Sequence, residues 1–250
     1  MEYFFLKLST DPKVIGKYPQ SEKMCGEEFG QYDYRKPYSV RWIPSEGTLK
    51  TKPKVDCFEL KHHAKTTDLI STVQVSSFGT LLISERFYAL IRDFKCMPAI
   101  SFQSQVVHRD KKHPYQFLYF PEHQNQFIDF SRSRFMLSTP VQGTYDHTRS
   151  EIIFKNFEEY LQKCQILERL RLESSNPNER HYIQVTDLYI NESVADLDFF
   201  RLLHLNNNFF VSARLKETIE QHGLSGMQFI PAQGAKVIDF DSASPQQLIY

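Results

Sequence analysis

The sequence predicts an α+β fold, with mixed sheets carrying a few helices and two related strand-helix-strand halves. Three observations lead there. Residues 78–94 read FGTLLISERFYALIRDF, in which an apolar run, Leu81-Leu82-Ile83, meets Ser84 and then Phe87, Leu90, Ile91 and Phe94 at helical spacing. Residues 208–222, NFFVSARLKETIEQH, repeat that design. Tyr115-Gln116-Phe117-Leu118-Tyr119-Phe120 is strongly β-forming and almost wholly apolar, which suits a strand covered on both faces.

Ser84 stands where a helix N-cap belongs, able to accept a hydrogen bond from a free amide of the first turn. In the second copy Phe209-Phe210-Val211 is the strand and Ser212 the cap. Leu215, Ile219 and His222 follow on the inner face, and Gly223 suits the C′ position. The match extends in both directions. Asp68-Leu69 lies sixteen residues before Ser84, and Asp196-Leu197 lies sixteen before Ser212; Arg86 answers to Arg214. Ile100-Ser101-Phe102 and Met227-Gln228-Phe229 read as equivalent strands downstream. An internal duplication is therefore expected. The plainer alternative is two independent strand-cap-helix joins.

The remaining elements follow in order. Tyr3 to Leu8 reads as an opening strand. From Ser9 to Lys54 the chain is polar and aperiodic, so loops with short strands are expected, Tyr38 to Trp42 being the best strand and Trp42 a packing anchor. Val55 to Leu60 reads as a strand. Arg109-Asp110-Lys111-Lys112 reads as a solvated loop, and Phe127-Ile128-Asp129-Phe130 as a return strand that pairs with 115–120. Glu151 to Phe154 is a short strand. Asn156 with Glu159 three residues on fits a capping box opening a helix to about Leu172, with Phe157, Leu161, Cys164 and Leu167 inward. ESSNPNER, residues 173–180, is the linker candidate. The expected organisation is an N-terminal half, 1–172, and a second repeat unit, 181–250, packed as one compact body. Tyr182 to Ile190 is a strand, Val237 to Phe240 resembles the FIDF segment, and the tail from Asp241 is expected to be loosely held.

Composition narrows function. Thirty basic residues balance thirty acidic ones, which argues against a dedicated nucleic-acid binder or a membrane-surface protein. Nine glycines in 250 residues leave no GxGxxG and no GxxxxGK[ST], so no phosphate-cradling loop or cofactor is expected. Cys25, Cys57, Cys96 and Cys164 form no CxxC pair and read as free thiols packed as small apolar groups in a reducing compartment. MEYFFLKLSTDP lacks a basic n-region, so it is not read as a signal peptide, and no run is long and apolar enough for a membrane span. A cytoplasmic location is expected.

No catalytic constellation emerges. His62-His63 and His108, His113 and His123 lack the spacing of metal ligands, and no metal is expected. Cys57 near His62 is sequence adjacency rather than a thiol-imidazole geometry. Ser84 and Ser212 lack the glycines of a nucleophile elbow and read better as caps. Asp68, Asp129, Asp196 and Asp239 are acid-base candidates, but such residues more often accept backbone amides. Arg86 and Arg214, in the first turn of each helix, run against the helix dipole. They, with Asp68 and Asp196, are candidates for a partner contact or an internal ion pair.

Residues 198–229, DFFRLLHLNNNFFVSARLKETIEQHGLSGMQF, resemble the C-terminal signature of the immunity proteins of bacterial polymorphic toxin systems, in the broad group numbered eleven and forty-three. YQFLYF, FIDF and SRSRF, within 115–135, resemble that group's middle hairpin. The similarity spans roughly residues 55 to 235. It departs at Ala213, where the group usually has Glu; Glu85 keeps it in the first copy. The resemblance implies a cytoplasmic protein that binds and neutralises a cognate protein toxin by steric inhibition, with no catalysis of its own. Aromatic and Arg anchors within a polar rim would supply specificity. Gly30 to Ser45 and Pro140 to Thr148 are the candidate contact loops. Neither a nucleic-acid nor a membrane partner is expected, and no functional residue is carried over. A general interaction module without a toxin is the first alternative, an enzyme of unrecognised type the second. A pocket with two strongly shifted titratable groups would favour the enzyme.

Overall fold

The computed structural model describes residues 2–25, 35–44, 46–72, 79–140, 147–173, 181–192, 195–202, 209–233 and 235–236. In chain order the elements are β1 (Tyr3–Leu8), α1 (Pro12–Ile15), β2 (Ser21–Met24), β3 (Phe58–Leu60), β4 (Leu69–Ile70), β5 (Thr80–Ser84), α2 (Glu85–Ile91), β6 (Ile100–His108), β7 (Lys111–Tyr119), β8 (Arg134–Pro140), β9 (His147–Ile152), α3 (Phe157–Glu173), β10 (Tyr182–Leu188), β11 (Phe199–Arg201), β12 (Phe209–Ser212), α4 (Ala213–Gln221), β13 (Met227–Pro231) and β14 (Ala235–Lys236). The strands form three sheets, ordered β2-β3-β6-β7-β5-β4, β11-β12-β1-β13 and β14-β10-β8-β9. β3 and β6 are parallel while β5, β6 and β7 pair antiparallel. This is the α+β class that the sequence predicts.

Both copies of the repeated segment build one design. β4 pairs with β5 through Leu69↔Ile83 and Ile70↔Leu82; β11 pairs with β12 through Phe199↔Val211 and Phe200↔Phe210. Each hairpin runs into a capped helix and then a strand, β6 or β13. In both sheets one other strand separates the capped strand from the post-helix strand, giving β4-β5-β7-β6 and β11-β12-β1-β13. Each copy thus has the strand order of a split βαβ unit whose gap is filled by a strand from outside it. β7 fills the first gap; β1 fills the second. The double coverage expected of 115–120 holds, since Tyr115 to Phe120 are all buried. Phe117 lies in the core with Phe58, Val106 and Leu82.

The chain folds as two compact units, and the seam is not at residues 173–180. One unit takes Phe4–Gln124 and Leu197–Ile230, so it holds both copies; the other takes Met1–Tyr3, Asn125–Asp196 and Pro231–Tyr250. The division expected at 172/181 is corrected for a physical reason. The second copy hydrogen-bonds back onto the first, so 197–230 returns to the body built by 4–124, and 125–196 is inserted between them. Glu173 ends α3, and 174–180 lie outside the described residues.

The inserted unit packs α3 on its own sheet. Asn156 Oδ1 accepts from the Glu159 amide at 2.9 Å and Glu159 reaches back to the Lys155 amide at 2.9 Å, the expected capping box displaced by one residue at its returning arm. Inside, Tyr160 and Leu167 are buried, and Tyr160 meets Phe130, Phe135, Phe154 and Phe157 at 5.3–6.4 Å between ring centres. Burial pushes the Tyr160 phenol up.

Other local expectations are corrected. Phe127 to Phe130 does not pair with β7, because β5 and β6 already occupy both edges of that strand; Ile128 bridges Ile190 instead. Arg109 and Asp110 form not a loop but a two-residue hairpin turn, both at positive φ (50° and 64°), joining strands of nine residues each. Tyr38 to Trp42 is no strand: Val40–Trp42 is a 3-10 turn, and Trp42 is 53% exposed rather than packed. His222 is exposed, not on the inner face. Cys25 and Cys57 are not free thiols but a disulfide across β2 and β3, with Cα atoms 5.3 Å apart; Cys96 and Cys164 are free. Residues 30–34, 45 and 141–146, parts of the two candidate contact loops, lie outside the described residues, as do Val237 to Phe240 and the tail. No helix among the described residues is long and apolar enough to cross a membrane.

Candidate functional site

Sequence singled out Ser84, Ser212, Arg86, Arg214, Asp68 and Asp196, and the structure gathers five of the six into two matching nodes. Ser84 caps α2: its Oγ accepts from the Phe87 amide at 3.2 Å and donates to Asp68 Oδ1 at 2.7 Å. Arg86 Nε meets the same Oδ1 at 3.0 Å. Ser212 caps α4 in the same way, accepting from the Leu215 amide at 3.2 Å and donating to Asp198 Oδ1 at 2.6 Å. Arg214 Nε reaches Asp198 Oδ1 at 3.3 Å and its Nη2 reaches Oδ2. The backbone agrees: the Ser84 amide donates to Asp68 O at 2.8 Å, and the Ser212 amide to Asp198 O at 2.9 Å.

Asp196 is therefore corrected to Asp198. Equal spacing to the serine selected Asp196, which is exposed. Strand register selects Asp198, the residue just before β11, as Asp68 is the residue just before β4. The second hairpin is simply two residues shorter than the first. The signal the sequence offers is an aspartate directly before an apolar pair, Asp198 before Phe199-Phe200 as Asp68 before Leu69-Ile70.

The nodes are also cross-linked. The Oδ2 of each aspartate accepts an amide from the segment following the other copy's helix. Ser225 N donates to Asp68 Oδ2 at 2.8 Å, and Lys95 N donates to Asp198 Oδ2 at 3.0 Å. The reverse bonds close each ring: Asp68 N to Ser225 O at 2.9 Å and Asp198 N to Lys95 O at 2.7 Å. Arg86 also donates to His222 O at 3.0 Å and Gly223 O at 3.1 Å, capping the C-terminal end of α4, while Arg214 lies 5.1 Å from the Phe94 ring centre beyond α2. Two copies thus clasp each other through reciprocal contacts.

Burial by itself would raise the Asp198 carboxyl. The Arg214 guanidinium, the Ser212 hydroxyl and the Lys95 amide outweigh it and hold that carboxyl below its ordinary value. Burial, and secondarily the Asp198 charge, pushes the Cys96 thiol up to about 12, which disfavours the thiolate.

Beside the first node lies an open cleft of about 490 Å³, lined by Asp68, Ser84, Glu85, Arg86, His113 and Tyr115 among others. Several of its polar groups are spent internally. Glu85 accepts from Gln116 Nε2 at 2.7 Å, and Gln116 in turn accepts from Ser101 Oγ at 2.6 Å. Tyr115 donates to Thr67 O, and its phenol is raised by burial and then by the Asp68 charge. Ser84 gives its proton to Asp68 and a lone pair to an amide, the arrangement of a cap and not of an activated nucleophile. Asp129 likewise accepts from Ser131 and Arg132 amides at 3.1 and 3.2 Å in a local turn; Asp239 lies outside the described residues.

The histidines are dispersed. His62 and His63 stack edge-to-face at 4.6 Å, His123 faces Glu46 at 3.2 Å, and His113 lines the cleft. Among the described residues no three His, Cys, Asp or Glu side chains converge as a metal centre. Cys57, considered with His62, is bonded to Cys25 instead. Compared with known proteins, the chain matches no family model and no curated sequence.

Proposed function

We propose that the chain is a bacterial immunity protein that binds one cognate toxin and neutralises it sterically, with no catalysis of its own. What supports the reading is that the residues carrying the resemblance form a self-contained clasp. Asp198, Ser212 and Arg214 satisfy one another and the first copy. A motif spent in that way serves as scaffold, and a scaffold that presents surface suits an inhibitor. The cleft beside Ser84 belongs to the same clasp, and its carboxylates already hold internal donors.

Tagged full-length chain would be used to capture partners from the source bacterium. A stoichiometric partner with a C-terminal enzymatic domain should appear, and co-expression should rescue growth from that domain. Rescue that fails at confirmed expression of both proteins sinks the reading. A cytoplasmic location is part of the proposal, and the Cys25–Cys57 bond is what stands against it, because disulfides persist chiefly in oxidising compartments. Alkylation of thiols in intact cells decides this: a bonded pair there removes the cytoplasm from the reading.

A further inference from the structure

Residues 35–54 carry six cations against a single acid, in a chain that is neutral overall, so the remainder is net acidic. The acid, Glu46, faces His123 at 3.2 Å. The segment is pinned from below. Val40, Ile43 and Val55 lie in the core beneath it. Ser39 Oγ caps the 3-10 turn through the Arg41 amide at 3.3 Å. The Lys54 amide donates to Tyr38 O at 3.0 Å, and Thr51 Oγ1 donates to Pro37 O, which ties the two stretches together. On this platform Arg41, Lys50 and Lys52 are exposed, and Trp42 is 53% exposed with its indole donating to Lys36 O at 3.1 Å. A half-exposed Trp carried on the same tied segment as exposed cations has the composition of an interface anchor with a steering rim, and its pinned backbone lowers the entropy cost of docking.

We propose that this surface docks an acidic face of the partner protein, Trp42 entering an apolar depression while Arg41, Lys50 and Lys52 meet carboxylates around it. The inference rests on the immunity reading and names the chemistry of the toxin's docking face. A protein partner is favoured over nucleic acid for two reasons. The chain as a whole is neutral, so no long-range basic field draws a polyphosphate. Base stacking needs successive open rings, and the neighbouring Tyr38 ring has the Lys54 ammonium 5.9 Å from its centre.

Trp42 is the chain's sole tryptophan, so its fluorescence reports on this surface alone. Oligoglutamate of about a dozen residues, titrated into the full chain at low salt, should change Trp42 emission saturably and bind about tenfold more weakly at roughly 0.5 M salt. The double variant Arg41→Glu, Lys52→Glu alters two exposed side chains; it should melt as wild type does and lose the response. Oligothymidylate of the same charge that binds more tightly than oligoglutamate overturns the proposal in favour of nucleic acid, and silence toward both overturns it outright. With an identified toxin in hand, unchanged capture by the double variant would sink this docking surface and leave the immunity reading standing. A wild-type chain that fails to rescue growth sinks the immunity reading, while the oligoglutamate titration still decides the surface.

Discussion

The two clasp nodes use the same three residue types and differ in what surrounds them. In the second, Asp198 has a side chain only 2% exposed, with two amide or hydroxyl donors and a guanidinium that lies against Phe94. In the first, the Asp68 side chain is 10% exposed and its node borders the open cleft. The same motif thus makes one closed node and one open one. The closed node carries the greater burden of stability, because a charge nearly out of water loses more when a partner is removed. The open node has room to diverge, which is where Glu85 and His113 are found.

The sharpest break of the symmetry lies one residue past each cross-linking amide. Gly226 sits at φ 95°, and a Cβ there would stand 2.2 Å from Leu69 O; its counterpart after Lys95 is Cys96, which bridges Phe199 and tolerates a side chain. Gly226→Ala should cost about 4 kcal/mol, through backbone clash and a left-handed φ together. Cys96→Ala should cost about 1 kcal/mol, as a half-buried small side chain. Chemical denaturation compares them directly. Equal losses would mean that the close approach is confined to neither copy.

Removing the carboxylates tests the closed-versus-open contrast itself. Asp198→Ala strips three charge-assisted contacts from a buried position and should cost about 3 kcal/mol; Asp68→Ala, at the edge of the cleft, about half of that. A reversed order would sink the contrast. Acid adds an independent probe. The folded Asp198 carboxyl titrates below its unfolded value, so its contribution is present above the ordinary carboxylate range, about pH 4, and is lost as pH falls through the lower folded value. Melting of wild type should therefore fall on acidification below about pH 4 more steeply than melting of Asp198→Asn. Parallel curves would remove Asp198 as a source of acid sensitivity.

Much of this clasp was legible in the sequence, and its one misassignment shows the limit. Ser84, Ser212 and both arginines followed from strand-cap-helix order, which is local. Asp196 was selected because spacing along the chain stood in for pairing across it, whereas register, a property of two strands, selects Asp198. The same limit explains the units. Helix α3 and its capping box were local and readable, but that residues 125–196 are inserted into a body closed by 197–230 depends on hydrogen bonds between segments more than a hundred residues apart. The β6-β7 turn was missed because Arg109-Asp110 lacks the Gly that usually marks positive φ, and the disulfide because two cysteines distant in sequence meet only across β2 and β3. The exposure of Trp42 is not legible in the sequence because hydrophobicity alone does not say which aromatic is left at the surface.

Cap removal should be nearly symmetric, since both serines make the same amide contact: Ser84→Ala and Ser212→Ala should each cost about 1 kcal/mol. Loss of partner capture by Ser84→Ala at unchanged melting would overturn its assignment as a cap.

The smallest effect belongs to Arg86. Its side chain is 58% exposed and serves both the Asp68 carboxylate and the carbonyls of His222 and Gly223 just past α4. Water competes for each of these groups, so Arg86→Ala should cost only about 0.5 kcal/mol, and salt should shrink the difference. Arg214→Ala should cost more, although Arg214 is as exposed, because the carboxylate it abandons is the buried one. The ordering thus isolates the environment of the acid from that of the base. If the two arginine variants melt together at low salt, burial of the aspartate does not set the strength of the node, and the closed-versus-open contrast reduces to a difference in shape.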